Sequence, residues 1–150
     1  AENNMSDLQE VQNSVPTIAI KEATAGKAVG MSIFHHTSEK IIETLGEFDV
    51  PLAQMTPVLN HIVSRIDASE YIEPKTINIS RGAWVLFESR KYTTIMTLFK
   101  NEPSALQVRE MQRLHHDFEI ANQRFLSRDQ VDVTSLGYPF LAIIQRKLRK

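Results

Sequence analysis

Lys75-Thr-Ile-Asn-Ile-Ser80, Arg81-Gly82, Ala83-Trp-Val-Leu-Phe87, Glu88-Ser-Arg-Lys91 and Tyr92-Thr-Thr-Ile-Met-Thr-Leu-Phe99 follow one another without a break. In the first block Ile77 and Ile79 alternate with polar residues, the two-residue period of a half-buried strand. Arg81-Gly82 supplies a turn. Residues 83–87 are apolar throughout, as a strand covered on both faces must be. The polar tetrad 88–91 turns the chain again. Residues 92–99 then alternate, with Thr93, Ile95, Thr97 and Phe99 on one side and Tyr92, Thr94, Met96 and Leu98 on the other. Connections this short join only antiparallel neighbours, so residues 75–99 predict a three-stranded meander. In its central strand Trp84 and Leu86 share one face and Val85 and Phe87 the other, so both faces of the sheet are expected to be covered.

Downstream, Ser104 with Gln107 three residues later forms a capping box and opens a helix of about twenty residues. Met111, Leu114, Phe118, Ala121 and Phe125 make one apolar stripe along it. Residues 129–134 read as a loop, and 136–148 as a last helix carrying Phe140, Leu141 and Ile144. Upstream, residues 15–20 and 29–34 are β-prone and flank the small, glycine-containing stretch 23–27, which predicts a hairpin. Ile41, Ile42, Leu45 and Phe48 fall at helical spacing, interrupted at Gly46 and Pro51. A second helical start follows, with Thr56 as cap and Pro57 at the first helical position, and Leu59, Ile62, Val63 and Ile66 continue it to about Asp67. Residues 1–14 contain acids and amides but no basic residue and read as a mobile tail. The expected fold is α+β: a five-stranded antiparallel sheet in the order β-β-α-β-β-β-α-α, helices packed on it, with residues 15–150 forming a single domain.

Composition narrows the function. The 150 residues carry 17 Lys and Arg against 18 Asp and Glu, a formal net charge of −1, which argues against holding nucleic acid through overall charge. With no cysteine the chain has no disulfide, thiolate metal site or cysteine nucleophile. The longest apolar runs, 83–87 and 140–144, fall far short of the roughly 18 residues that span a membrane. The chain opens on Ala1 rather than Met, as a processed or excised piece would, and without the charged-then-apolar start of a secretory leader. The expected compartment is the cytoplasm. At the other end Arg146, Lys147, Arg149 and Lys150 could attract an anionic lipid surface, although favourable placement at a helix C-terminus accounts for them as well.

The residues that carry chemistry form no catalytic pattern. Gly26-Lys27 lacks the upstream glycine and the following Ser or Thr of a phosphate-binding loop. His35-His36 and His115-His116 are adjacent pairs, and neighbours on a helix diverge by about 100°, too far to share one metal readily. Asp117 and Glu119 could add oxygen ligands, but a solvated helix face explains the group equally. No serine sits in a Gly-x-Ser-x-Gly elbow. The sequons at Asn4 and Asn78 read as chance.

The order of elements over residues 15–126 resembles the longin and roadblock domains of the profilin-like group. Residues 79–87 (Ile-Ser-Arg-Gly-Ala-Trp-Val-Leu-Phe) similarly set a glycine turn before a central apolar strand. Phe118 to Phe125 resembles a longin helix closing on aromatic residues. The resemblance implies a non-catalytic module, without cofactor or metal, that serves small GTPases, trafficking or polarity machinery, often as a dimer. Its partner would be a protein or a second copy of the chain rather than nucleic acid. Trp84, Leu86, Arg146, Lys147, Arg149 and Lys150 are the candidate interaction residues, with core packing the plainer role for Trp84. The alternative is a small-ligand sensory domain of the PAS or GAF kind. Such domains also use a five-stranded antiparallel sheet, and the long stretch 38–73 between strands 2 and 3 suits them.

Overall fold

The computed structural model describes residues 26–69 and 71–128. The elements are β1 (Lys27–His35), β2 (Lys40–Gly46), α1 (Leu52–Asp67), β3 (Lys75–Ser80), β4 (Ala83–Ser89), β5 (Thr93–Lys100) and α2 (Ala105–Leu126). The five strands form one antiparallel sheet in the order β2-β1-β5-β4-β3. The expected α+β class and the order β-β-α-β-β-β-α are therefore observed. The meander forms where its alternation placed it, with Ile77 opposite Val85 and Trp84 opposite Phe99. Its Arg81-Gly82 turn needs the left-handed backbone at Gly82 (φ 73°), which glycine adopts without strain.

The first hairpin is built from other residues than expected. Residues 29–34 fall within β1, but its hairpin partner is β2, formed by residues assigned above to a helix. Two features favour the strand. Ile41, Ile42 and Thr44 are β-branched and suit a pleated surface, and residues 36–39 reverse the chain, with Glu39 in the left-handed region at φ 54°. Pairing then places Thr44 Oγ1 3.2 Å from Ser32 Oγ across the ladder. At Gly30 the outgoing chain passes so close that a Cβ would lie 1.9 Å from the Glu47 carbonyl oxygen. The expected tail over 1–14, strand over 15–20 and helix over 136–148 lie outside the described residues.

Helix α1 starts after Pro51, so Pro57 lies inside it rather than at its first position. The N–H that proline lacks would have bonded Ala53, whose exposed carbonyl region water can serve. Thr56 does not cap; its hydroxyl donates back to Leu52 O at 2.9 Å. Helix α2 begins as expected. Ser104 Oγ accepts the Gln107 N–H at 3.1 Å, and Gln107 Oε1 accepts the Ser104 N–H at 2.8 Å. Ser104→Ala should lower stability by about 1 kcal/mol, read as a shift in urea midpoint with unchanged slope.

Among the described residues, one helix packs on each face of the sheet. Met31, Ile33, Leu86, Ile95 and Phe99 pack beneath α2 with its Met111, Leu114, Phe118 and Leu126. Phe34, Val85, Phe87, Met96 and Leu98 pack beneath α1 with its Met55, Leu59 and Ile62. The expected α2 stripe is right as far as Phe118. Beyond it Ala121 is exposed and Phe125 half-buried, while Leu126 takes the core position, because the buried line drifts around the helix at four-residue steps.

Candidate functional site

Polar burial concentrates where β1, β4 and β5 meet the middle of α2. His35, Glu88, Thr93, His115, Glu119 and Asn122 are buried there, and His36, Ser89 and Thr94 are buried together beside them, joined through Thr94 Oγ1. The β4–β5 turn brings Glu88 and Thr93 together at the sheet end, and α2 lays His115 and Glu119, one turn apart, across them.

The hydrogen bonds fix the protonation of His115. Glu119 Oε2 accepts the Tyr92 N–H at 3.0 Å, the Thr93 N–H at 2.8 Å and the Thr93 hydroxyl at 2.6 Å. Because the Thr93 hydroxyl donates its hydrogen bond to Glu119, its oxygen is left to accept from His115 Nε2, 2.7 Å away. The other ring nitrogen, Nδ1, meets Glu88 Oε1. Both ring nitrogens donate, so His115 is an imidazolium between two carboxylates. Burial opposes its charge, but the hydrogen bonds to Glu119 and Glu88 outweigh burial and raise its pKa above 6.5. Burial likewise opposes the Glu119 carboxylate. His115, with the Thr93 and Tyr92 donors, outweighs it and holds Glu119 below the usual carboxylate range.

Arg90 extends the series outward. Its Nε lies 3.4 Å from Glu88 Oε1, near enough for attraction, yet it is buried and aligned with no acceptor. Its guanidinium also donates to Gln112 O at 3.1 Å. Charge therefore alternates along Glu119, His115, Glu88 and Arg90. The other two buried histidines act as latches. His35 Nε2 donates to Leu126 O at 2.7 Å at the end of α2, and its Nδ1 lies 2.7 Å from Ser38 Oγ. His36 reaches Thr94 Oγ1 at 2.8 Å and Lys91 O at 3.3 Å. Burial pushes its pKa down to about 4, against the opposing pull of the Lys91 carbonyl.

His36, Glu88, Ser89 and Glu119 of this cluster, with Arg90, line an open cleft of about 810 Å³ between α2, the β4–β5 turn and the C-terminal end of α1. The imidazolium is wholly buried and its two carboxylates are engaged by hydrogen bonds, so the arrangement ties α2 to the sheet. Among the described residues no three His, Asp or Glu side chains are arranged as a metal site, and no helix is long and apolar enough to cross a membrane.

Of the candidate interaction residues, Leu86 is wholly buried beneath α2 and so belongs to the core, and Trp84 is half-buried against the same cluster. Arg146, Lys147, Arg149 and Lys150 lie outside the described residues. The reading of His115 and Glu119 as a solvated helix face is corrected: both are buried. A signal for this was present, since the two stand four apart beside Leu114 and Phe118 on the apolar stripe. Glu88, Arg90 and Thr93 had no such signal; a polar residue at a predicted strand end looks the same whether or not a helix covers it. No protein-family model matches this chain, and no curated protein shows significant sequence similarity to it.

Proposed function

We propose that the chain is a non-catalytic interaction or regulatory domain of the longin/roadblock kind, working in the cytoplasm as a scaffold or regulator of a small-GTPase or trafficking assembly. One observation carries the reading. Among the described residues both sheet faces carry one of the chain's own helices and the buried charges satisfy one another, which leaves the outside for recognition: the outer strands β2 and β3 and the exposed faces of the helices. The element order supports the same family. A sensory domain is the second reading, favoured by the cleft volume, which lies within the roughly 300–1,000 Å³ of small-ligand sites.

Light scattering paired with thermal shift separates the two. An interaction domain should give a mass of twice the 17.1 kDa chain, or a defined complex with a GTP-loaded small GTPase, and a melting temperature indifferent to nucleotides and metabolites. A monomer that binds no GTPase and is stabilised by a metabolite overturns the proposal in favour of the sensor.

A further inference from the structure

We infer that Arg90 is a preorganised receptor for a carboxylate carried by an apolar peptide segment of a partner protein, seated in the cleft beside the β4–β5 turn. This rests on the interaction reading above and names the chemistry of the partner. A buried ion series is costly to desolvate. This one runs Glu119, His115, Glu88, Arg90, and only its last member reaches solvent, with its side chain 31% exposed. Glu88 holds the guanidinium from behind, and Gln112 O holds it from the side. The arginine is therefore oriented before any ligand arrives, which reduces the ordering cost of binding. A planar fork with unfilled donors matches a carboxylate better than a point charge would.

The surroundings define the rest of the ligand. Tyr71 and Ile120, at 72% and 62% exposure, are the two most exposed large apolar side chains among the described residues, and both line this cleft. Lys91 and His116 stand beside Arg90, with His116 Nδ1 3.5 Å from its guanidinium. Of the acids in the lining, Glu88 and Glu119 are tied to His115, and Asp67 stands at the α1 end of the cleft. An occupant with one carboxylate flanked by large apolar side chains meets both features.

The test uses the full chain labelled with ¹⁵N and three probes: an acetylated, amidated Leu-Phe-Glu-Phe-Leu peptide, its Gln-for-Glu counterpart, and glutarate. The acidic peptide should shift the Arg90 Nε–H and the amides of Tyr71 and Ile120, at least tenfold more tightly than the Gln peptide. Arg90→Lys should remove that advantage, and in the Lys variant the two peptides should bind alike. Glu88→Gln, which loosens the positioning of Arg90, should weaken the acidic peptide and leave the Gln peptide unchanged. Equal or undetectable effects of the two peptides, or full retention in Arg90→Lys, overturn the proposal. Glutarate binding as tightly as the peptide overturns it too, in favour of a small-anion site. If the chain still assembles by light scattering while the peptides ignore Arg90, the interaction reading stands and only this site falls.

Discussion

Glu119→Ala is expected to cost about 3–5 kcal/mol of folding stability, because it strips the buried His115 imidazolium of one of its carboxylates and leaves charge uncompensated in the core. The same carboxylate accepts the Tyr92 and Thr93 N–H groups and the Thr93 hydroxyl, so the substitution orphans three donors as well. Glu119→Gln keeps an oxygen for those donors but not the charge, and should fall between wild type and Glu119→Ala. Urea unfolding followed through Trp84, the only tryptophan, reads both, since Trp84 packs against the core beneath α2. A cost under about 1 kcal/mol, the ordinary value for an exposed carboxylate pair, would contradict the clamp.

Stability should peak near pH 6.5 and fall on both sides. On the acid side His36 stays neutral in the fold down to about pH 4, while the unfolded chain takes up that proton near 6.5. Between those values the unfolded state binds more protons, so stability drops as pH falls, by about 3 kcal/mol at most. Glu119, held below 4.5, adds a further loss as pH falls through its folded value. His115 acts in the opposite direction. Its folded pKa lies above 6.5, so its contribution is full below 6.5 and is lost as pH rises through the folded value. His36→Gln should flatten the acid arm between pH 6.5 and about 4.5 and leave the alkaline arm in place. Urea midpoints at several pH values check this, and an acid slope unchanged by the substitution would refute it.

The meander was legible because three signals agreed there: the two-residue period, the glycine turn and an apolar central run. The α2 cap was legible for a similar reason, since Ser104 and Gln107 serve each other locally. The β2 strand was not. Ile41, Ile42 and Leu45 satisfy a helical spacing, and what decides against it is the pairing with β1, a long-range contact absent from any local window. The start of α1 was misplaced because Pro57 looked like a first-turn proline, whereas it lies inside the helix, facing the exposed residue Ala53 one turn earlier. At the candidate site His115 and Glu119 were visible as residues but not as buried ones. Whether a polar residue on an apolar stripe faces water or a buried partner depends on Glu88 and Thr93, which the fold brings from another strand and its turn.

The direct measurement is the protonation of the His115 ring, read by ¹⁵N NMR of the histidine side chains at pH 7. A clamp of two carboxylates requires both ring nitrogens to carry protons, with Nδ1–H donated to Glu88 and Nε2–H to Thr93. A neutral His115 with a single protonated nitrogen at that pH would contradict the alternating charge of the series ending in Arg90, and would leave α2 tied down by its apolar side chains and by the bonds of Glu119, Gln112 and Leu126 to the sheet and its β4–β5 turn.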